Sequence, residues 1–124
     1  INYRGKNMAT ALGPSTTLVH YLKRNDSLPD LEVTLQDSSG TALSLTGATV
    51  KFSMKNDVDN TIKIDKTACT LISGVTGGVK YNFTSANTNV AGTYQAEFQI
   101  EYANSDVLTV PTQGAVSVVI LEDV

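Results

Sequence analysis

An all-β sandwich of antiparallel strands is the fold this sequence predicts, and three observations predict it. Apolar and polar residues alternate along most of the chain, turn-forming residues punctuate the alternating runs, and no window carries the i, i+3, i+4, i+7 spacing of a helix longer than about a turn.

The alternation marks the elements in order. Leu31, Val33 and Leu35 alternate with Glu32, Thr34 and Gln36; Val50, Phe52 and Met54 with Lys51, Ser53 and Lys55; Ile62 and Ile64 with Thr61, Lys63 and Asp65. Val79, Tyr81 and Phe83 alternate with Lys80, Asn82 and Thr84. The longest run sets Tyr94, Ala96, Phe98, Ile100 and Tyr102 against Gln95, Glu97, Gln99 and Glu101. Near the end, Val116, Val118 and Ile120 share one face, with Val119 and Leu121 on the other. Successive strand side chains point to opposite faces, so each run is read as a strand with one buried face. The polar outer face of the longest run favours antiparallel sheets over a parallel sheet buried on both sides.

Turn chemistry separates the runs. Asp37-Ser38-Ser39-Gly40 closes a hairpin, Asn56 to Asn60 reads as a hairpin turn, and Ser73 to Gly78 breaks the middle of the chain. Ala91-Gly92 precedes the long strand and Asn104-Ser105-Asp106 follows it. Pro111 interrupts an apolar stretch, as suits a loop or an edge strand. The count comes to about seven to nine strands. Residues 1–15 hold Gly5, Gly13 and Pro14 without sustained alternation and read as an extended arm, followed by a first strand near Thr16 to Leu22. The domain organisation expected is therefore an arm over residues 1–15 and one sandwich over residues 16–124.

At 124 residues the chain is the size of one domain and can bury a core that needs no metal or disulfide. Its single cysteine, Cys69, excludes an internal bridge and fits a reducing compartment; its apolar neighbours make it a buried small hydrophobe rather than a reactive thiol. The net charge of −3 is unevenly placed: the first 80 residues carry nine Lys/Arg against seven acids, the last 44 none against five. No basic cluster is interleaved with aromatics, which argues against nucleic acid as a partner, and no apolar run approaches a membrane span. The acidic third is read as a solvated face, with a basic neighbour in an assembly as the alternative. No signal peptide is visible; Met8 is a candidate initiator, and whether residues 1–7 are native or a segment lies upstream of Ile1 stays open.

The search for chemistry fails at each step, so the expectation is no catalytic residue, no metal site and no cofactor. His20 is the only histidine and falls in a predicted strand, Leu18 to Leu22, where a strand-surface role outweighs that of a general base. One His and one Cys far apart do not make a zinc site. Asn56-Asp57-Val58-Asp59-Asn60 resembles a calcium loop briefly, but Ile62 and Ala68 stand where Gly and Glu are required. Gly74 to Gly78 lacks the Lys-Ser/Thr of a phosphate loop and leads into a strand. Asn25-Asp26-Ser27 and Asn82-Phe83-Thr84 match the glycosylation sequon by chance in a chain without a secretory signal.

Gly92-Thr93-Tyr94 opening a long strand matches the tyrosine corner of immunoglobulin-like sandwiches, although Ala96 stands where a disulfide cysteine would and Trp is absent. A core tyrosine without that role is the alternative. Three segments together resemble a phage family: Leu22 to Pro29 leading into Leu31 to Leu35, Leu45 to Met54, and Ala91-Gly92-Thr93-Tyr94-Gln95-Ala96-Glu97-Phe98. They are similar to the immunoglobulin-like domain at the N-terminus of phage baseplate upper proteins, found also in other phage tail and virion proteins, over about Leu22 to Ile120. Two departures stand out: Asn25 takes a position that is commonly Gly, which Asn fills if φ is positive, and Val110 rather than an aromatic precedes Pro111.

The resemblance implies a non-catalytic structural protein of the virion, assembled in the host bacterial cytoplasm. It would pack against other phage structural proteins and copies of itself at a baseplate, neck, tail or capsid-surface position. The arm before Thr16 could add to a neighbour's sheet edge. The alternative is a carbohydrate- or cell-surface-binding module, either a receptor-binding tip or an adhesin; the Tyr and Phe residues mostly fall on inward positions, which counts against it.

Overall fold

Ten strands and no helix make up the described residues of the computed structural model, which are residues 10–73 and 76–124. In chain order they are β1 (Thr10–Leu12), β2 (Thr17–Lys23), β3 (Leu31–Leu35), β4 (Thr49–Asn56), β5 (Ile62–Ala68), β6 (Thr70–Ser73), β7 (Gly78–Tyr81), β8 (Gly92–Glu101), β9 (Val107–Val110) and β10 (Ala115–Leu121). One sheet has the order β1-β3-β7-β6; the other has the order β2-β10-β8-β4-β5, with β9 paired to β8 beyond the end of β10's contact. The two sheets face each other as an all-β sandwich.

The alternation read from the sequence is the alternation of burial. Leu31, Val33, Leu35, Val50, Phe52, Met54, Val79, Tyr81, Phe83, Tyr94, Ala96, Phe98, Ile100, Val116, Val118 and Ile120 all point into the core. Phe52 sits at its centre, 4.4 Å from the Tyr81 ring of the opposite sheet and 5.1 Å from Phe98 on the neighbouring strand. Close aromatic packing adds to the area such rings remove from water, and it locks the two layers in one register.

Three expectations are corrected. The sheets are mixed rather than wholly antiparallel, because β1 runs parallel to β3 and β2 runs parallel to β10. Ten strands replace the expected seven to nine, since chain stretches break where they change neighbours: β5 and β6 are split at Cys69, where the chain leaves one sheet for the other. Ile62 is exposed although Ile64 is buried. A bulge in the β4–β5 pairing explains this: Ile64 stands opposite inward-facing Met54, while Ile62 stands opposite outward-facing Lys55, so the phase slips by one residue between them.

The sandwich begins inside the segment expected as an arm. Thr10–Leu12 is a strand, Leu12 is fully buried, and the Gln36 amide donates to the Leu12 carbonyl at 3.0 Å. The part of that arm before Thr10 lies outside the described residues. At Gly13-Pro14-Ser15 the chain crosses from one sheet to the other, and the crossing is tied down from both sides. The Gly13 amide donates to Thr16 Oγ1 at 2.8 Å, and the Pro14 carbonyl accepts from the amides of Gln113 and Gly114. Gly114 is required there: a Cβ on it would lie 1.9 Å from the Thr16 carbonyl oxygen.

Candidate functional site

The polar residues singled out by sequence are spent on the fold itself. His20 faces inward from β2 rather than lying on the strand surface, with its ring 5.7 Å from Phe83 and nearly parallel to it. Its Nε2 lies 2.9 Å from the Pro29 carbonyl oxygen. A carbonyl only accepts, so Nε2 carries the hydrogen and donates. Burial holds the imidazole below its ordinary value of 6.5, against the opposing pull of the Pro29 carbonyl and the Asp30 carboxylate. The result is a neutral ring used as a strut between β2 and the loop before β3, with no acidic or nucleophilic group hydrogen-bonded to it among the described residues.

Cys69 packs against the core at the β5–β6 crossing, and burial pushes its thiol up to about 12. The thiolate is the reactive form, so the residue is a packing element.

Asn56 to Asn60 is a hairpin turn between β4 and β5. Asn56 Oδ1 accepts from the amides of Val58 and Asp59, and Asp59 Oδ1 accepts from the Thr61 amide. Asn60 takes the left-handed conformation at φ 63°. These side-chain oxygens close the turn in the way Asx residues do, and the turn needs no ion to form. Asp37 does the same work at the β3 hairpin, accepting from the Ser39 and Thr41 amides. No cluster of three or more His, Cys, Asp or Glu side chains exists among the described residues.

The loops at one end are joined by two residues. Tyr94 donates its hydroxyl to the Val90 carbonyl at 2.7 Å, making the tyrosine corner that its position predicts. Thr88, fully buried, donates to the Asp26 carbonyl at 2.7 Å, while its own carbonyl accepts from the Asn25 amide. Asn25 has φ 71°, the conformation that lets Asn stand in for Gly. Sequence reasoning passed over Thr88, whose signal is only a threonine in a polar loop.

The two acids of the longest strand stand beside bases. Glu97 and Glu101 project from β8 beside Lys51 and Lys55 of β4, staggered along the strands, with Glu97 opposite Ser53 and Lys51 opposite Gln99. Among the described residues the one ion pair within 4.0 Å is Arg24 with Glu122 at 2.9 Å, both ends well exposed. On the same outer face, at the β2–β10 side, Val19, Tyr21 and Leu121 are exposed beside half-buried Val119. Tyr21, 58% exposed, departs from the inward placement of the aromatics among the described residues.

What these residues define is a β-sandwich that spends its polar side chains on turns and loop ties and leaves its contact capacity on sheet faces and edges. The family model for the BppU (baseplate upper protein) N-terminal domain matches residues 8–119, and the chain belongs to that family. It is thereby a phage baseplate-type structural domain, part of the virion and associated with other phage structural proteins. Among solved structures, the N-terminal domain of phage TP901-1 ORF48 is similar, with a TM-score of 0.67 at 10% identity, covering 90% of this chain and 94% of that one. At that identity the likeness speaks to the fold. No curated protein matches the sequence.

Proposed function

We propose that this chain is a non-catalytic assembly module of a phage particle, packing through its sandwich into a multimeric baseplate, neck, tail or capsid-surface structure. The observation that carries the proposal is the family match across residues 8–119. The geometry supports it: His20 and Cys69 serve packing, and the turn carboxylates serve turns. The immunoglobulin-like character rests on the Tyr94 corner and on a stretch of chain that gives β1 to one sheet and β2 to the other. The part of the chain before Thr10 is proposed to reach a neighbouring subunit.

The test is location. Phage carrying an epitope-tagged version of this chain are purified and imaged with a labelled antibody. Label at a fixed place on the particle agrees with the proposal; a chain that stays in the lysate while complete particles form overturns it. Specific saccharide binding on a glycan array would instead favour a receptor-binding module, for which Tyr21 is an exposed aromatic among the described residues.

A further inference from the structure

Among the described residues each sheet ends in edge strands, and all but one of these are blunted. Natural sheets protect exposed edges with short strands, bulges, charges or irregular backbone, because an open row of amides and carbonyls pairs with any other strand. β1 is three residues long; β9 is four. β6 is four residues long with a register shift at Leu71/Ser73. β5 carries two register shifts, the charges of Lys63, Asp65 and Lys66, and a left-handed Lys66 at φ 45°.

β2 has none of these devices over its central run. Its seven residues pair with β10 in unbroken register, from Thr17 with Ala115 to Lys23 with Leu121. The bonds at either end, Ala115 amide to Thr16 carbonyl and Arg24 amide to Leu121 carbonyl, show that even-numbered residues turn their backbone toward β10. The backbone groups of Thr17, Val19 and Tyr21, with the Lys23 amide, therefore point away from the sheet and have no partner among the described residues. The same residues send their side chains to the outer face, where Val19 is 44% and Tyr21 58% exposed beside Val119 and Leu121.

We propose that β2 is the strand through which two copies of this chain join, edge to edge and antiparallel about a two-fold axis at His20, extending the larger sheet across the interface. This rests on the assembly role proposed above and names its surface. The choice of a second copy comes from the strand's self-complementarity. Antiparallel pairing centred on His20 sets Val19 of each copy opposite Tyr21 of the other, in the hydrogen-bonded position, and Thr17 opposite Lys23. Both apolar side chains then meet an apolar neighbour, and the strand's one charge, Lys23, meets a neutral Thr17 rather than its own kind. The Arg24–Glu122 pair lies past the strand's end and neutralises itself.

The experiment measures self-association of the full chain by sedimentation equilibrium over a concentration series. Tyr21→Pro removes an amide that points at the open edge, so the fold keeps its ladder to β10 while the edge is blocked; Tyr21→Lys leaves the backbone intact and charges the apolar pair. The expected result is a dimer that both variants weaken by roughly tenfold or more, with native circular dichroism retained. In a Cys69→Ala background, mixing Val19→Cys with Tyr21→Cys chains should give disulfide-linked pairs of the two different chains in excess over like pairs. A chain that stays monomeric to about 1 mM, or a dimer indifferent to both Tyr21 variants, overturns the edge pairing. Tagged chain incorporated into particles at wild-type level with Tyr21→Pro would overturn it while leaving the assembly role standing; wild-type chain absent from particles overturns that role instead.

Discussion

The Tyr94 hydroxyl donates to the Val90 carbonyl four residues upstream, at 2.7 Å, with the Tyr94 ring buried. The bond ties the start of the longest strand to the loop that enters it, and it is partly buried. Tyr94→Phe keeps the ring and removes only the donor, leaving a carbonyl unpaired. The expected cost is about 1–2 kcal/mol, read as a lower urea midpoint with an unchanged slope.

Asn25 sits at φ 71° with its amide bonded to Thr88. Glycine reaches that conformation freely and a β-branched residue does not. Asn25→Gly should therefore leave stability within about 0.5 kcal/mol, while Asn25→Val should lose about 1–3 kcal/mol. Thermal unfolding of the pair against the parent checks both signs, and a tolerated valine would contradict the assigned backbone.

Gly114 has no room for a methyl group, because the atom it would meet at 1.9 Å is the Thr16 carbonyl oxygen, a backbone atom with its own bond to Ala115. Gly114→Ala must part the β2–β10 pair at its first rung, with an expected loss of about 2–3 kcal/mol or more. Amide hydrogen exchange should show the loss of protection concentrated along β2.

His20 makes stability depend on mild acid. Its folded-state value is lowered by burial, so below the ordinary value of 6.5 an unfolded chain takes up a proton that the folded chain resists. Stability is then complete above 6.5 and is lost as the pH falls through that value toward the lower folded one. The melting temperature should drop between about pH 7.5 and 5.5, and His20→Gln should flatten that drop. Asp37 and Asp59, held low by turn hydrogen bonds, act in a separate and more acidic window, below their ordinary 3.8.

What was legible in the sequence was local. Alternation in β3, β4, β7, β8 and β10 follows from the strand's own period, and turn closure by Asp37, Asn56 and Asp59 follows from short side chains bonding nearby amides. What was not legible depends on partners far along the chain. The exposure of Ile62 is set by a bulge against β4, the inward turn of His20 by Phe83 and Pro29, and the need for glycine at 114 by Thr16. The open edge of β2 belongs to the same kind: a strand is an edge only once every other strand has been placed. The surroundings of Glu97 and Glu101 depend on distant partners in the same way, since β8 brings them beside lysines roughly 40 to 50 residues earlier in sequence.

The parallel pairing of β2 with β10 has a mechanical consequence. Tension between the chain before Thr17 and the chain after Leu121 pulls the two strands along their length in opposite directions. All seven register pairs then resist together in shear, instead of opening one at a time like a hairpin. A domain threaded between two parts of a particle by its ends is loaded along the direction in which this ladder is stiffest.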